Sequence, residues 1–351
     1  MNRKSAVKKL VVISLIVLVF LMPAFVSGDD YLISVLILIA INILMVASLR
    51  TIALLQQISL GHVGFSLIGA YGSALLMIKG GLPFWPALML GGLGSAAVAL
   101  VLGYPFLKVR GIYFSILTLL TAETFRLIAY YWRSLTGGSN SLMGVPPPEP
   151  MTLPLLGTVT FDTSISYYYL AVAVILLCLL ILYLVEHSHI GQAWRSIKDS
   201  DELSQSVGIN VIGYKIINFV VACFFAGISG ALFAHYQLNL SAAVTSRFGV
   251  FTSIYLVVYL VVGGINSFVG PIVGTIVLTL ISELTRPMKE YQPMLIGVIA
   301  ILVVLYMPGA LAGLPRQIRD WAHSGKTKTE KTRPIEVRRQ DSSPPKGDET
   351  N

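Results

Sequence analysis

The sequence predicts an all-α polytopic membrane protein with about ten transmembrane helices and with both termini in the cytoplasm. Three observations predict this fold class. Hydrophobic residues make up 55% of the 351 residues and charged residues only 12%, and the mean hydropathy is +0.77. Apolar runs of about 17–25 residues, the length that crosses a bilayer, recur along the chain. Lys and Arg are unequally distributed between the segments that join these runs.

The first apolar run allows two interpretations. Residues 1–9 are basic, Leu10–Val26 is apolar, and Gly28 then offers a site for cleavage. A signal peptide has these features, but the apolar run is long for one. A retained first span is therefore favoured over a cleaved leader.

Polar side chains interrupt one of the next two runs. Tyr31–Leu49 is predicted to span the membrane, whereas Thr51–Ile78 carries a polar group near its start. This group comprises Gln57, Ser59, Gly61 and His62. Polar groups at membrane depth are costly unless they face protein or water. Either neighbouring helices satisfy them, or the helix is broken here and lines the route of a solute, as discontinuous spans do in transporters.

The remaining spans are predicted from the apolar runs that follow. They are Trp85–Leu107, Ile112–Trp132, Tyr167–Val185, Ile216–Tyr236, Phe251–Gly264, Pro271–Leu284 and Met294–Met307. Two of them carry small residues at four-residue spacing, which lets helix backbones approach closely. These stripes are Gly91, Ser95, Ala99 and Gly103, and Ala222, Ala226, Gly230 and Ala234. Both helices are expected at the centre of the bundle.

A few residues inside the spans suggest chemistry. Glu123 and Arg126 are three apart, lie on one helix face and are expected to pair. A structural charge pair is favoured here over a contact with solute. Cys178 and Cys223 lie in separate apolar runs, and neither a disulfide nor a metal site is indicated.

The charge distribution gives the topology. With ten spans and both termini inside, 19 of the 25 Lys and Arg residues lie on inside segments and Arg126 lies within a span. The remaining five lie on outside segments: Lys79, Arg133, Arg247, Arg286 and Lys289. The positive-inside rule then places residues 186–215 in the cytoplasm and residues 133–166 outside, as a loop with short ordered pieces. Residues 1–315 form the predicted membrane domain, and the basic residues 316–351 a disordered cytoplasmic tail. The net charge of +8 is thus a topology signal and does not indicate nucleic-acid binding.

The central polar segment, residues 186–215, predicts a short helix. Ser200 is a good N-cap, Asp201 and Glu202 lie in the first turn where the helix dipole favours anions, and Gly208 ends the helix. A helix of about two turns is too short to be stable alone in water. We therefore expect it to lie against another surface, that of a partner protein in the cytoplasm.

No catalytic or metal-binding constellation is recognisable in the sequence. The segment Ser324-Gly325-Lys326-Thr327 resembles the end of a phosphate-binding loop, but the position of the required first glycine holds Asp320. The chain is therefore predicted not to be an enzyme and to bind no cofactor. Its energy source must be a partner or an ion gradient.

Many short stretches, in order over about residues 30–315, resemble the branched-chain amino-acid permease family, the membrane subunits of bacterial ABC importers. The matching stretches are residues 57–65, Gly69-Ala70-Tyr71, residues 110–114, Thr118-Leu119 with Glu123, Leu135-Thr136-Gly137-Gly138, Gly208-Ile209-Asn210, Tyr214-Lys215, residues 226–232, Gly263-Gly264 and Gly270-Pro271. Within the family the chain looks like the longer of the two paired permeases.

The resemblance implies a multi-pass protein of the bacterial plasma membrane and a set of partners. A second homologous permease, two cytoplasmic ATPases that bind ATP and Mg²⁺, and an extracytoplasmic amino-acid-binding protein would complete the importer. Asp199, Asp201, Glu202 and Gly208 fall in the segment that couples such a permease to an ATPase. The sequence departs from the family at Ser204 and Gln205, positions that are commonly alanine.

The resemblance also implies a solute. Branched-chain amino acids are favoured, and urea, short amides or other amino acids are the alternatives within the family. A self-contained secondary transporter or channel is the alternative outside it. That class would need a coupling acid deep in a span, for which Glu123 is the best candidate.

Overall fold

The structure is a computed structural model that describes residues 20, 22–23, 29–109, 111–153, 157–161, 163–286 and 291–306. The predicted first span Leu10–Val26, Arg110 and the predicted tail, residues 316–351, lie outside the described residues or almost entirely so.

Helices dominate the described residues. They are α1 (Asp30–Ala53), α2 (His62–Ile78), α3 (Phe84–Leu107), α4 (Ile112–Tyr131), α5 (Arg133–Thr136), α6 (Ser164–His187), α7 (His189–Asp199), α8 (Asp201–Ser206), α9 (Val211–Gln237), α10 (Val250–Gly263), α11 (Gly270–Leu284) and α12 (Gln292–Tyr306). The strands are β1 (Leu142–Met143), β2 (Met151–Leu153), β3 (Gly157–Val159) and β4 (Asn239–Leu240). A 3₁₀ turn covers Gly138–Asn140.

The prediction of a helical membrane protein is confirmed. Five described helices, α1, α3, α4, α6 and α9, are long and apolar enough to cross a bilayer. Four shorter apolar helices, α2, α10, α11 and α12, have 17, 14, 15 and 15 residues. Together these nine helices match the nine spans predicted from Tyr31 onward. The total of ten spans stays a prediction, because the first lies outside the described ranges.

Helices α2, α3 and α9 form the centre of the bundle, as the small-residue stripes predict. All eight stripe residues are buried. A Cβ atom on Gly69 of α2 would overlap the Gly227 carbonyl of α9, and one on Gly230 would overlap the Ser66 carbonyl of α2. On α3, Ser95 donates its hydroxyl to the Phe65 carbonyl at 2.8 Å. The three backbones are therefore in direct contact, which any side chain at Gly69 or Gly230 would prevent.

The predicted run Thr51–Ile78 is not one helix. Thr51–Ala53 continue α1, residues 54–61 are non-helical, and α2 begins at His62. The freed backbone groups find partners on α4: Ser115 donates to the Ile58 carbonyl at 2.6 Å, and the Leu60 amide donates to the Thr118 hydroxyl at 3.2 Å. A helix break at this depth is possible because protein satisfies these groups.

The two ends of the bundle are distinct. One end, called the α8 end, carries the C-termini of α1 and α6, the helices α7 and α8, and the turn between α10 and α11. The opposite end carries residues 133–153 and 157–161, which contain α5 and the strands β1–β3, so the predicted short ordered pieces are present. Strand β1 pairs antiparallel with β4, with Leu142 opposite Leu240, and β2 pairs with β3.

Replacing Gly69 with Ala tests the central packing. The added methyl would meet the α9 backbone, and overpacking of this kind costs about 1–3 kcal/mol. We expect a clearly lower midpoint of thermal unfolding in detergent. The matched control is Gly94→Ala on α3, where a Cβ has no neighbour within 4 Å. Equal midpoints for the two variants would contradict the close approach of α2 and α9.

Candidate functional site

Helix α7 is amphipathic and lies against the α8 end of the bundle. The Ser188 hydroxyl caps its N-terminus by accepting from the Ile190 amide at 3.2 Å. Trp194 is 1% exposed, and its indole N–H donates to the Tyr214 carbonyl at 3.1 Å. The sequence analysis did not predict this helix, although the apolar spacing Ile190, Trp194 and Ile197 was its signal.

Helix α8 matches the predicted short helix and its caps. The Ser200 hydroxyl accepts from the Leu203 amide at 3.2 Å, and Asp201 and Glu202 occupy the first turn. Gly208 follows with a φ of 85°, a left-handed conformation that glycine adopts without strain. The N-cap, the acidic first turn and the glycine stop are therefore confirmed.

Two contacts fix α8 on the bundle. The Lys215 ammonium of α9 lies 2.7 Å from the Asp201 carboxylate, with the two side chains 9% and 21% exposed. Ser204 is buried. Its hydroxyl lies 2.9 Å from the Ser196 hydroxyl and donates to the Ser200 carbonyl at 2.8 Å. Ser204, one of the two departures from the family pattern, thus faces α7 and not the solvent.

The opposite face of α8 projects outward. Glu202 and Gln205 are exposed, and Leu203 and Val207 are exposed to 71% and 73%. Leu203 and Val207 thus place two apolar side chains on the outer side of a polar segment. These four residues are called the exposed face of α8.

A cavity of about 420 Å³ lies behind this face. Lys198, Asp199, Asp201 and Glu202 line it, together with Gln57 from the non-helical segment before α2. The structure therefore brings three of the four predicted coupling residues to one cavity, while Gly208 lies at the end of α8. A hydrogen bond joins the non-helical segment before α2 to α7, since the Gln56 side-chain amide donates to the Lys198 carbonyl at 3.0 Å.

Arg50 joins three segments at the α8 end. Its guanidinium donates to both oxygens of Glu186 at 2.7 and 3.1 Å and to the Ile265 carbonyl at 2.9 Å. Arg50 is 3% exposed and Glu186 14%. The sequence analysis missed this pair, because the two residues are 136 positions apart.

The other polar residues singled out near α2 are buried. Ser59 and His62 are each 1% exposed, and His62 Nε2 lies 2.8 Å from the Ser48 hydroxyl of α1. A Cβ on Gly61 would overlap the Thr118 carbonyl. Among the described residues, neither the Ser59 hydroxyl nor His62 Nδ1 has a hydrogen-bond partner. Their role in lining a solute route stays a prediction.

Glu123 and Arg126 form the expected pair. The Arg126 Nε donates to Glu123 Oε2 at 2.9 Å, and a second guanidinium nitrogen bonds the other carboxylate oxygen. Arg126 is 3% exposed and also donates to the Ala242 carbonyl at 2.7 Å. The pair thus anchors the segment that follows α9. Cys178 and Cys223 are buried and not bonded to each other.

A second polar cavity, of about 260 Å³, lies between α1, the segment after α9 and α10. Polar side chains of its lining include those of Asn42, Ser246, Arg247, Thr252, Tyr255 and Tyr259. Sequence reasoning counted Arg247 among the outside residues and gave Asn42 no role. The sequence did mark Asn42 as unusual, because it is the only polar side chain between Ser34 and Ser48.

The fold and the comparisons together define a class of membrane permease. Residues 31–306 match the family described as the branched-chain amino acid transport system permease component, and the chain belongs to this family. Two relatives carry the name high-affinity branched-chain amino acid transport system permease protein LivM. The Escherichia coli K12 protein is 31% identical and the Salmonella typhimurium LT2 protein 30% identical, each over 330 residues. The alignment covers 89% of this chain and 77% of each relative. No solved structure matches the chain.

Replacing Arg50 with Met tests the constraint at the α8 end. The change leaves the Glu186 carboxylate and the Ile265 carbonyl without their donor, and breaking a buried pair in this way costs about 3–5 kcal/mol. We expect a large fall in the thermal midpoint and a smaller fall in the double variant with Glu186→Met.

The control is Lys79→Met, because Lys79 also donates to a carbonyl, that of Ser134 at 3.1 Å, but is exposed. It should change stability by about 0.5 kcal/mol or less. If Arg50→Met behaved like this control, the pair would not hold the α8 end together.

Proposed function

We propose that the chain is the permease subunit of an ATP-driven importer that moves leucine, isoleucine and valine into the cell by alternating access. In this proposal the chain lies in the bacterial plasma membrane with residues 186–215 in the cytoplasm. ATP and Mg²⁺ are bound by two partner ATPases and not by this chain. A second homologous permease completes the pathway, and an extracytoplasmic binding protein delivers the solute.

The observation that carries the proposal is the exposed face of α8 on a chain of this family. Leu203 and Val207 are the most exposed large apolar side chains of the polar segment. Leu203 stands on α8 and Val207 directly follows it, and the helix is anchored by the Asp201–Lys215 pair and by Ser204. A rigid base with an apolar tip suits a coupling element, because a partner can bury the tip and move the base with it.

The arrangement of the ends supports the orientation. Segments that the ten-span topology places inside meet at the α8 end: Arg50, α7, α8, the α10–α11 turn, and Gly111, which lines the 420 Å³ cavity. Contacts between them include Lys198 to the Asn266 side chain at 3.0 Å and Arg50 to the Ile265 carbonyl at 2.9 Å. The charge asymmetry of the sequence then assigns this end to the cytoplasm.

A self-contained secondary transporter is less well supported. Such a mechanism needs a membrane acid that takes up and releases a coupling ion. Glu123 is held by two bonds from Arg126, which is itself bonded to the Ala242 carbonyl. A carboxylate fixed in this way is suited to a structural role. Urea and short amides remain alternative solutes within the family.

Leu203→Glu tests the proposal with little risk to folding, because the side chain is 71% exposed. A charge in the centre of a docking surface should remove most of the contact with an ATPase. We expect ATPase subunits to co-purify with the wild-type chain and to be lost from the variant, with loss of ATP-driven leucine uptake in liposomes.

The matched control is Met143→Glu, since Met143 is 70% exposed but lies at the opposite end. This variant should retain the ATPases. Retention of the ATPases by Leu203→Glu, or their equal loss from both variants, would refute α8 as the coupling element.

A further inference from the structure

The segment after α9 turns back into the bundle. Helix α9 ends at Gln237 at the opposite end, and the chain then runs through β4 to the start of α10 at Val250. Side chains from two membrane helices hold its carbonyls: Tyr71 donates to Leu240 at 3.2 Å and Arg126 to Ala242 at 2.7 Å. These hydrogen bonds satisfy backbone carbonyls of a non-helical segment inside the bundle, where lipid offers no hydrogen-bond donor.

Arg247 of this segment reaches the middle of the membrane domain. Its guanidinium donates to the Asn42 side chain at 2.5 Å. Asn42 lies 12 residues after Asp30 and 11 before Ala53, the ends of α1. At a rise of 1.5 Å per residue it is about 18 Å from one end of the helix and about 17 Å from the other. Arg247 is therefore near the midplane.

The length of α10 agrees with this depth. The helix has 14 residues and ends at the α8 end, where the adjacent Ile265 carbonyl meets Arg50. It is about 21 Å long, which is shorter than the roughly 30 Å hydrocarbon core. Its N-terminus must therefore begin inside the bilayer, beside Arg247. Interrupted helices that begin at the midplane are typical of solute sites in transporters.

The charge of Arg247 is not balanced locally. The guanidinium carbon lies 4.6 Å from the centre of the Phe233 ring, a favourable cation–π contact. Among the described residues, however, no carboxylate forms an ion pair with Arg247. None of the described residues that line the 260 Å³ cavity is acidic. An arginine at this depth is costly, and such residues mark functional sites by default.

We propose that Arg247 binds the carboxylate group of the transported solute in this cavity. The guanidinium offers two parallel donors that match a carboxylate. Asn42 and Phe233 fix its position, and Thr252, Tyr255 and Tyr259 add hydroxyls around the bound molecule. The volume is below the roughly 300–1,000 Å³ of sites for drug-sized ligands and suits a small solute.

This inference rests on the proposed function and separates its two solute classes. An amino acid carries a carboxylate, whereas urea and short amides are neutral and have no need of an unpaired cation at the midplane. The N-terminus of α10 acts in the same direction, since the positive end of its dipole also favours an anion. The cavity therefore favours amino acids over neutral amides.

The test is uptake by the full importer in liposomes, with leucine supplied on its binding protein. Arg247→Met removes the charge but keeps much of the side-chain volume, and Arg247→Lys keeps the charge. Loss of a charge-assisted bond predicts a fall in uptake of about 10- to 100-fold for Met and a smaller fall for Lys. The amount of assembled complex should be unchanged in both variants.

A second variant makes charge the only variable. Arg247→Cys is treated with a methanethiosulfonate that adds an ammonium group, or with one that adds a sulfonate. We expect the ammonium reagent alone to restore part of the uptake. Treated wild type is the control, because Cys178 and Cys223 are buried.

The outcomes separate the inference from the proposal on which it rests. Undiminished uptake by Arg247→Met, or uptake by the Cys variant that is not raised specifically by the ammonium reagent, would overturn the carboxylate site while the importer stands. A wild-type complex that assembles no ATPase or transports no leucine would overturn the proposed function first.

Discussion

The ion pair between Arg50 and Glu186 is the interaction on which the α8 end of the bundle depends. A guanidinium that is 3% exposed needs partners for its donors, and it finds them on α6 and on the α10–α11 turn. Helix α7 begins at His189, three residues after Glu186, so its position follows from that of the pair. Because removal of either charge would leave the other buried without a partner, the pair holds these segments together.

The same end is connected to the core of the bundle by rigid contacts. The Asp201–Lys215 pair ties α8 to the base of α9, at 2.7 Å. Further along α9, Gly227 and Gly230 touch the backbones of α3 and α2. Close packing of this kind transmits displacement instead of absorbing it. In the proposed importer, a movement of α8 would therefore reach α9, and with it the segment that carries Arg247.

Features coded by local sequence could be predicted, and features made by distant contacts could not. Apolar length located the nine apolar helices of the described residues, of which five are long enough to cross a bilayer. Four-residue spacing of small residues identified the central helices, and Ser200 and Gly208 identified the ends of α8. By contrast, Arg50 and Glu186 are far apart in sequence. Arg247 was placed outside because it stands in a polar stretch between spans. Its depth depends on hydrogen bonds between distant parts of the chain: Tyr71 and Arg126 hold the preceding segment, and Asn42 accepts from Arg247. Sequence composition does not reveal such contacts.

The central claim is that the exposed face of α8 meets an ATPase. The most direct measurement places a photo-activated benzoyl-phenylalanine at Gln205, an exposed position of that face, in cells that co-express the candidate partners. Illumination should cross-link the chain to an ATP-hydrolysing protein, and the same probe at Met143 should not do so. Absence of the cross-link from a chain that is present in the membrane would contradict the account, as would an identical product from both positions.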